Sequence, residues 1–351
     1  MRKVKIFMPK KFLITGVTGQ VGSQLVDFLL DNSDFELIGM MRWQEPLNNI
    51  SHLIERINRK DRLSIFYADL NDHPSIYRMI DLIRPDFISH LAAQSYPRTS
   101  FDIPIETLQT NIIGTANFLE VIKQIRNKET SYDPVIHVCS SSEVYGKVKK
   151  KGHLTEDSTF HGSSPYSISK IGADFLGRYY GEAFNLKTLV TRMGTHSGPR
   201  RSDVFFESTV AKQIALIEFN YQDPIIKIGN LDSVRTFQDV RDAVDAYYKL
   251  IIAADNGLIK PGDVFNIAGK EAFNLREIVE ILLSFSERKD ITYKCDQNRL
   301  RPIDADYQMY DNTKISSTID WEPTITVKQM LLDLLNHWRH QIKNGNIPLN
   351  R

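Results

Sequence analysis

"LITGVTGQVGSQLVDFLL", residues 13–30, places Gly16, Gly19 and Gly22 in G-x-x-G-x-x-G spacing. An apolar run precedes the glycines and an apolar-periodic segment follows them. A strand feeding a glycine turn that opens a helix suits a dinucleotide. Glycines let the turn be tight and the backbone approach a pyrophosphate, and the helix N-terminus presents unpaired N–H groups to it. Thr18, Gln20 and Val21 lie in the same turn and join the three glycines as candidate cofactor contacts.

Outward from this turn, strand-like runs at 11–15, 36–41, 64–67, 86–92, 134–139, 187–193 and 263–268 alternate with helix-length segments. Such alternation predicts an α/β fold, a Rossmann-type doubly wound parallel sheet. The segments 105–126 and 165–184 are the longest helices expected, with apolar faces able to pair with a second subunit. After residue 194 the pattern loosens, with one well-signalled helix at 273–285. The expected division is a dinucleotide-binding domain, 1–193 plus 237–268, and a smaller C-terminal substrate-binding lobe, 194–236 plus 269–351.

The 351 residues carry a formal net charge of +1, which gives no electrostatic reason to expect nucleic acid as a partner. Two cysteines, Cys139 and Cys295, argue against a disulfide framework and for a reducing, cytoplasmic setting. "MRKVKIFMPKKFLITG" has apolar runs of only three residues and is not expected to be a signal peptide, and no run is long enough to span a membrane. "KVKKKG" (147–152) reads as a solvated loop. His337 and His340 read as dipole-favoured cations near a helix end, and no metal is expected.

Cofactor choice turns on the end of the second strand, where an acid would hold a ribose 2′-hydroxyl and an Arg a 2′-phosphate. Here Met41 stands where the acid would, and Arg42 follows, so NADP(H) is expected, with NAD(H) as the alternative. Asp69 and Leu70 after the third strand, and Leu91, Ala92 and Ala93 after the fourth, are placed to line adenine and ribose.

Two polar stretches carry the chemistry. "CSSSEVYGK" (139–147) ends a buried strand with three hydroxyls and a carboxylate, and "SPYSISK" (164–170) sets Tyr166 and Lys170 four apart on one helix face. An ammonium beside the phenol would lower its pKa toward neutrality. Ser141 can hold a substrate oxygen.

Together these motifs resemble an extended short-chain dehydrogenase/reductase. Within that superfamily the chain resembles the GDP-mannose 4,6-dehydratases and GDP-4-keto-6-deoxy-mannose reductases over residues 10–340. "HLAAQSYPRTSF" (90–101), "SSSEVYGKV" (140–148) and "GPRRSD" (198–203) look dehydratase-like, as does "RWQEPLNNISHL" (42–53). "AKQIALIE" (211–218), "RTFQDVRDAV" (235–244) and "DLLNHWR" (333–339) look reductase-like. Ser141 stands where the dehydratases carry Thr, Trp43 where they carry a second Arg, and Thr195 where an Asn precedes His196.

The resemblance implies a GDP-sugar substrate and a homodimer or homotetramer. It implies that Tyr166 takes the proton of the sugar 4-hydroxyl as hydride leaves C4. Glu143 then removes the acidified C5 proton, water leaves from C6, and hydride returns there. Tyr166, Lys170 and His196 would also touch the cofactor. Ser95, Ser142 and Thr195 would touch substrate, and Arg235 and Arg301 would clamp the diphosphate, with Arg200 and Arg201 as looser candidates. Two readings compete with the dehydratase: a GDP-4-keto-sugar reductase or GDP-sugar 4-dehydrogenase, and a non-catalytic dinucleotide sensor.

Overall fold

The structure, a computed structural model, describes residues 9–148, 152–299 and 307–346. Six strands, β1 (Lys11–Thr15), β2 (Glu36–Met41), β3 (Leu63–Tyr67), β4 (Phe87–His90), β5 (Val135–Cys139) and β6 (Thr188–Met193), join Asp263–Ile267 in one sheet. The spatial order is Asp263–Ile267, β6, β5, β4, β1, β2, β3, all parallel. The order reverses between β1 and β4, and the crevice at their C-terminal ends is where this architecture binds ligands.

These strands are apolar because both faces are covered. Phe12, Leu13 and Ile14 of β1 are fully buried. Leu25, Leu29, Val244 and Leu250 pack on one side of the sheet, and Ile76, Ile80, Phe118 and Ile122 on the other.

The segment expected as one regular helix from 105 contains a π turn, Gln109–Ile113, between Pro104–Leu108 and Gly114–Lys128. It sets Asn111 inward, 2% exposed, and periodicity alone does not signal such a turn. The helix Pro165–Phe184 starts on a capping box between Ser164 and Ser167 with Pro165 in its first turn.

The smaller core gathers helices Phe206–Glu218, Leu275–Ser284 and Val327–Lys343 around Ile214, Ile278, Leu331 and Leu335. Phe206–Glu218 was not expected as a helix: ten of its residues are buried, so the sequence shows no polar stripe. Strand Val234–Asp239 links the cores, pairing with Ala272–Asn274, Tyr307–Gln308 and Thr195–Ser197. Farther on, Ile315 and Trp321 return to the core of the large sheet. His337 is not a surface cation: burial, with Arg200 and His340 nearby, lowers its pKa to about 4.

Behind the catalytic strand ends lies a buried ion pair. Arg192 on β6 donates to both Asp174 oxygens, at 2.8 and 3.0 Å, and to the Tyr145 hydroxyl and Glu156 carbonyl. Arg192 and Asp174 side chains are 1% and 0% exposed. Asp174→Ala would strand a buried guanidinium, and breaking such pairs costs about 3–5 kcal/mol. Urea denaturation should show a loss of this size, and a change below about 1 kcal/mol would contradict the account.

Candidate active site

The glycine turn fits a pyrophosphate. Gly16 has φ 71°, and a Cβ there would stand 2.9 Å from Ala92 Cα. A Cβ on Gly22 would lie 2.9 Å from Val17 Cα, so the helix Gln20–Asn32 begins tight against the sheet. Gly19 caps that helix without any side-chain hydrogen bond. Gly16, Gly19, Gln20, Val21 and Gly22 line the inner end of a cavity of about 330 Å³, together with Leu91 and Ala93.

The same cavity is lined by Ser95, Ser141, Ser142, Glu143, Tyr166, Lys170, Thr195, His196 and Arg235. Five of the remaining predicted contacts, Thr18, Arg42, Asp69, Leu70 and Ala92, are not among its lining residues. Ala92 N and Leu91 N both donate to Thr15 Oγ1 at 3.0 Å. Leu70 packs against Gly114, and Asp69 accepts from Asn71 N. Arg42 and Thr18 both bind Glu45, at 2.7 Å each. Arg301 lies outside the described residues.

Local folding explains the positions of the candidate catalytic residues. β5 ends at Cys139, Ser140 N still donates to Thr191 O at 2.9 Å, and Ser141 caps the 3₁₀ turn Ser142–Tyr145. Its Oγ accepts from Glu143 N at 3.2 Å. Glu143 Oε1 is 4.0 Å from Arg235 Nη1, each side chain 13% exposed, so the candidate base and the candidate diphosphate clamp meet. Gly146 ends the turn at φ 52°, where any Cβ would strike the His161 carbonyl.

Tyr166 and Lys170 share the cavity, but their electrostatics differ from the sequence expectation. Lys170 Nζ donates to the Cys139 carbonyl at 2.7 Å, and burial lowers its pKa. Burial also raises the Tyr166 phenol above its ordinary value, because the tyrosinate would lose its hydration. Hydrogen bonding from Ser141 and the charge of Arg201 oppose that rise. Arg201 is a cation whose charge favours the ionised phenol.

Arg201 is a residue whose place the sequence reading missed. It stacks 3.4 Å over the Phe205 ring, pairs with Glu207 at 3.2 Å, and reaches Gln20 Oε1 at 3.4 Å. Arg200 instead pairs with Asp27 at 2.6 Å. His196 Nδ1 bonds the Gly194 carbonyl at 3.2 Å, and burial beside Arg201 lowers its pKa to about 3, so it is neutral. Asn111 is a second missed residue. It joins Gln94 after β4 to Ser169 on the catalytic helix, with bonds of 2.8 to 2.9 Å.

A second pocket, about 270 Å³, opens from the first and shares Thr195, Phe206, Glu207 and Arg235 with it. Val204, Val210 and Phe237 give it apolar walls, and Lys227, Asn230 and Arg299 supply polar groups. Among the described residues no group of three or more His, Cys, Asp or Glu could hold a metal ion. No helix among them is long and apolar enough to cross a membrane.

The doubly wound sheet with Ser141, Tyr166 and Lys170 on one cavity defines an extended short-chain dehydrogenase/reductase. The chain belongs to the GDP-mannose 4,6 dehydratase family, whose model matches residues 13–334. It is 29% identical over 349 residues to a GDP-mannose 4,6 dehydratase of Drosophila melanogaster, covering 93% of this chain and 85% of that one. It is 27% identical over 338 residues to a GDP-6-deoxy-D-mannose reductase of Pseudomonas aeruginosa, covering 96% and 99%. The solved structure of RMD from Pseudomonas aeruginosa complexed with NADPH superposes with a TM-score of 0.76 at 25% identity, covering 94% and 99%.

Proposed function

We propose that the protein is a nucleotide-sugar 4,6-dehydratase acting on GDP-mannose or a related GDP-sugar, with NADP(H) as its recycled cofactor. The observation that carries this reading is Glu143 on the same cavity as Ser141, Tyr166 and Lys170. A carboxylate there has a use in removing a C5 proton, a step that simple oxidation or reduction at C4 lacks. NADP(H), when bound, takes hydride from C4 and supplies it at C6. The glycine turn, Leu91 and Ala93 would hold it, with Arg42 at the ribose end.

The chain's own residues do the proton chemistry. Ser141 holds the 4-oxygen beside Tyr166, which takes its proton. Glu143 accepts the C5 proton of the resulting ketone, and the C6 hydroxyl leaves as water. Arg235, 13% exposed between the two pockets, suits a diphosphate whose nucleoside enters the apolar-walled pocket.

The two cores support a division into 1–193 plus 237–268 for cofactor and 194–236 plus 269–351 for sugar nucleotide, although Ile315 and Trp321 pack with the cofactor half. A homodimer or homotetramer is supported by Ile105, Ile168, Phe175 and Tyr179, each more than half exposed on two adjacent helices. A cytoplasmic location fits two free cysteines without a disulfide.

A GDP-4-keto-sugar reductase or 4-dehydrogenase is the second reading, favoured by the full-length match to the Pseudomonas reductase. Mass spectrometry of GDP-mannose and GDP-heptose incubated with the enzyme and substoichiometric NADP⁺ decides between them. A dehydratase yields product lighter by one water without net cofactor turnover. Stoichiometric cofactor consumption with no water lost would leave the second reading standing.

A further inference from the structure

Beside the glycine turn an acid arrives from beyond the end of the second strand. Glu45 bridges the two loops there: Oε1 accepts from Arg42 Nε at 2.7 Å and Oε2 accepts the Thr18 hydroxyl at 2.7 Å. It comes from beyond the end of β2, because Gln44 adopts φ 67° and turns the chain back toward the glycine loop. Asn49 Nδ2, donating to Thr18 O at 2.9 Å, ties the same loops from the other side. The Glu45 side chain is 20% exposed and that of Arg42 59%, so the carboxylate is the more sheltered partner.

A carboxylate in this position acts on a dinucleotide in two opposed ways. It accepts hydrogen bonds from ribose hydroxyls, the interaction an acid at a strand end provides for NAD(H). It also repels a 2′-phosphate and occupies the Nε–H of Arg42, which a phosphate would use. The Glu45 carboxylate, with Asp69 and Glu106, raises the Arg42 pKa against the effect of burial.

We infer that Glu45 is a selectivity-determining residue for the dinucleotide, one that holds back Arg42 and narrows the preference for NADP(H) over NAD(H). This rests on the reading that the glycine-loop cavity holds a dinucleotide with its ribose near Arg42. The role depends on the Gln44 turn, which brings the carboxylate onto Thr18 within the glycine turn.

Isothermal titration calorimetry of NADPH and NADH into the full-length protein tests it, using wild type, Glu45→Gln and Glu45→Ala. Gln keeps the shape and the ability to accept from Thr18, whereas Ala removes both. Removing the charge should raise the ratio Kd(NADH)/Kd(NADPH) about tenfold in both variants, mostly through tighter NADPH, a change equal to about 1.4 kcal/mol. A ratio within about twofold of wild type in both, or a change confined to Ala, overturns the inference while leaving the dinucleotide reading intact. Wild type that binds neither dinucleotide overturns that reading and this inference together.

Discussion

Tyr166→Phe should lower turnover of the GDP-sugar by about 10²–10⁴, the usual contribution of a positioned general acid–base. The fold should be unchanged, because the helix that carries Tyr166 is set by other groups. Ser164 and Ser167 cap it, and Tyr166 N donates to Ser100 Oγ at 3.1 Å. The ring is 8% exposed and Phe would fill the same space. The phenol is the part that matters, since only its oxygen can exchange a proton in the cavity. In the resting protein burial holds it above the ordinary tyrosine value, so the ionised fraction near neutrality is small. Wild-type rates should therefore rise with pH through the alkaline range, and the Phe variant should lose that rise. Steady-state rates with a thermal melt of each protein check both parts. Near-normal turnover in Tyr166→Phe would remove the residue from the mechanism.

Glu143→Gln should abolish dehydration while sparing the first oxidation. Gln is isosteric but cannot accept the C5 proton, and Ser141, Tyr166 and Lys170 are untouched. The variant should accumulate a 4-keto sugar nucleotide that keeps its C6 hydroxyl. In deuterated water the wild type should place deuterium at C5 and the variant should not. Glu143 N is bound to Ser141 Oγ through the backbone, so the substitution leaves that turn in place. Its Oε1 lies 4.0 Å from Arg235, so Gln also removes a charge near the diphosphate site. Part of any change should thus appear in KM. Wild-type product free of deuterium at C5, formed with stoichiometric cofactor use, would rule out the dehydratase.

What the sequence made legible was local. The glycine spacing, the Tyr–Lys interval and the alternation of strands and helices each depend on residues close in the chain. The strands predicted at 11–15 and 36–41 are the ones observed. Ser141 was legible because a polar cluster at the end of a buried strand is conspicuous. What stayed hidden depends on contacts between distant segments. Arg201 meets Gln20 across 181 positions, and no spacing rule links them. Asn111 owes its place to a π turn inside an otherwise periodic helix. Glu45 lies beyond the end of β2, and only the backbone turn at Gln44 brings it to the glycine turn. The hydrogen bond of Lys170 is hidden for a related reason. Helical spacing puts Lys170 and Tyr166 on one face, but the Cys139 carbonyl that engages Lys170 belongs to β5.

The return of Ile315 and Trp321 to the large core bears on how the chain is made. Trp321 is 1% exposed and the largest of the fully buried side chains. It belongs to the apolar cluster that holds residues of β1 and of the helix Val240–Asp255, yet it is synthesised after most of the smaller lobe. During translation, domains tend to fold as they emerge, N-terminal first. Here the cofactor half emerges with a hole in its apolar interior, which closes only once residues 315–321 are made. A nascent chain stalled before residue 315 would therefore expose a greasy cleft that chaperones recognise, although every strand of the large sheet has already been translated.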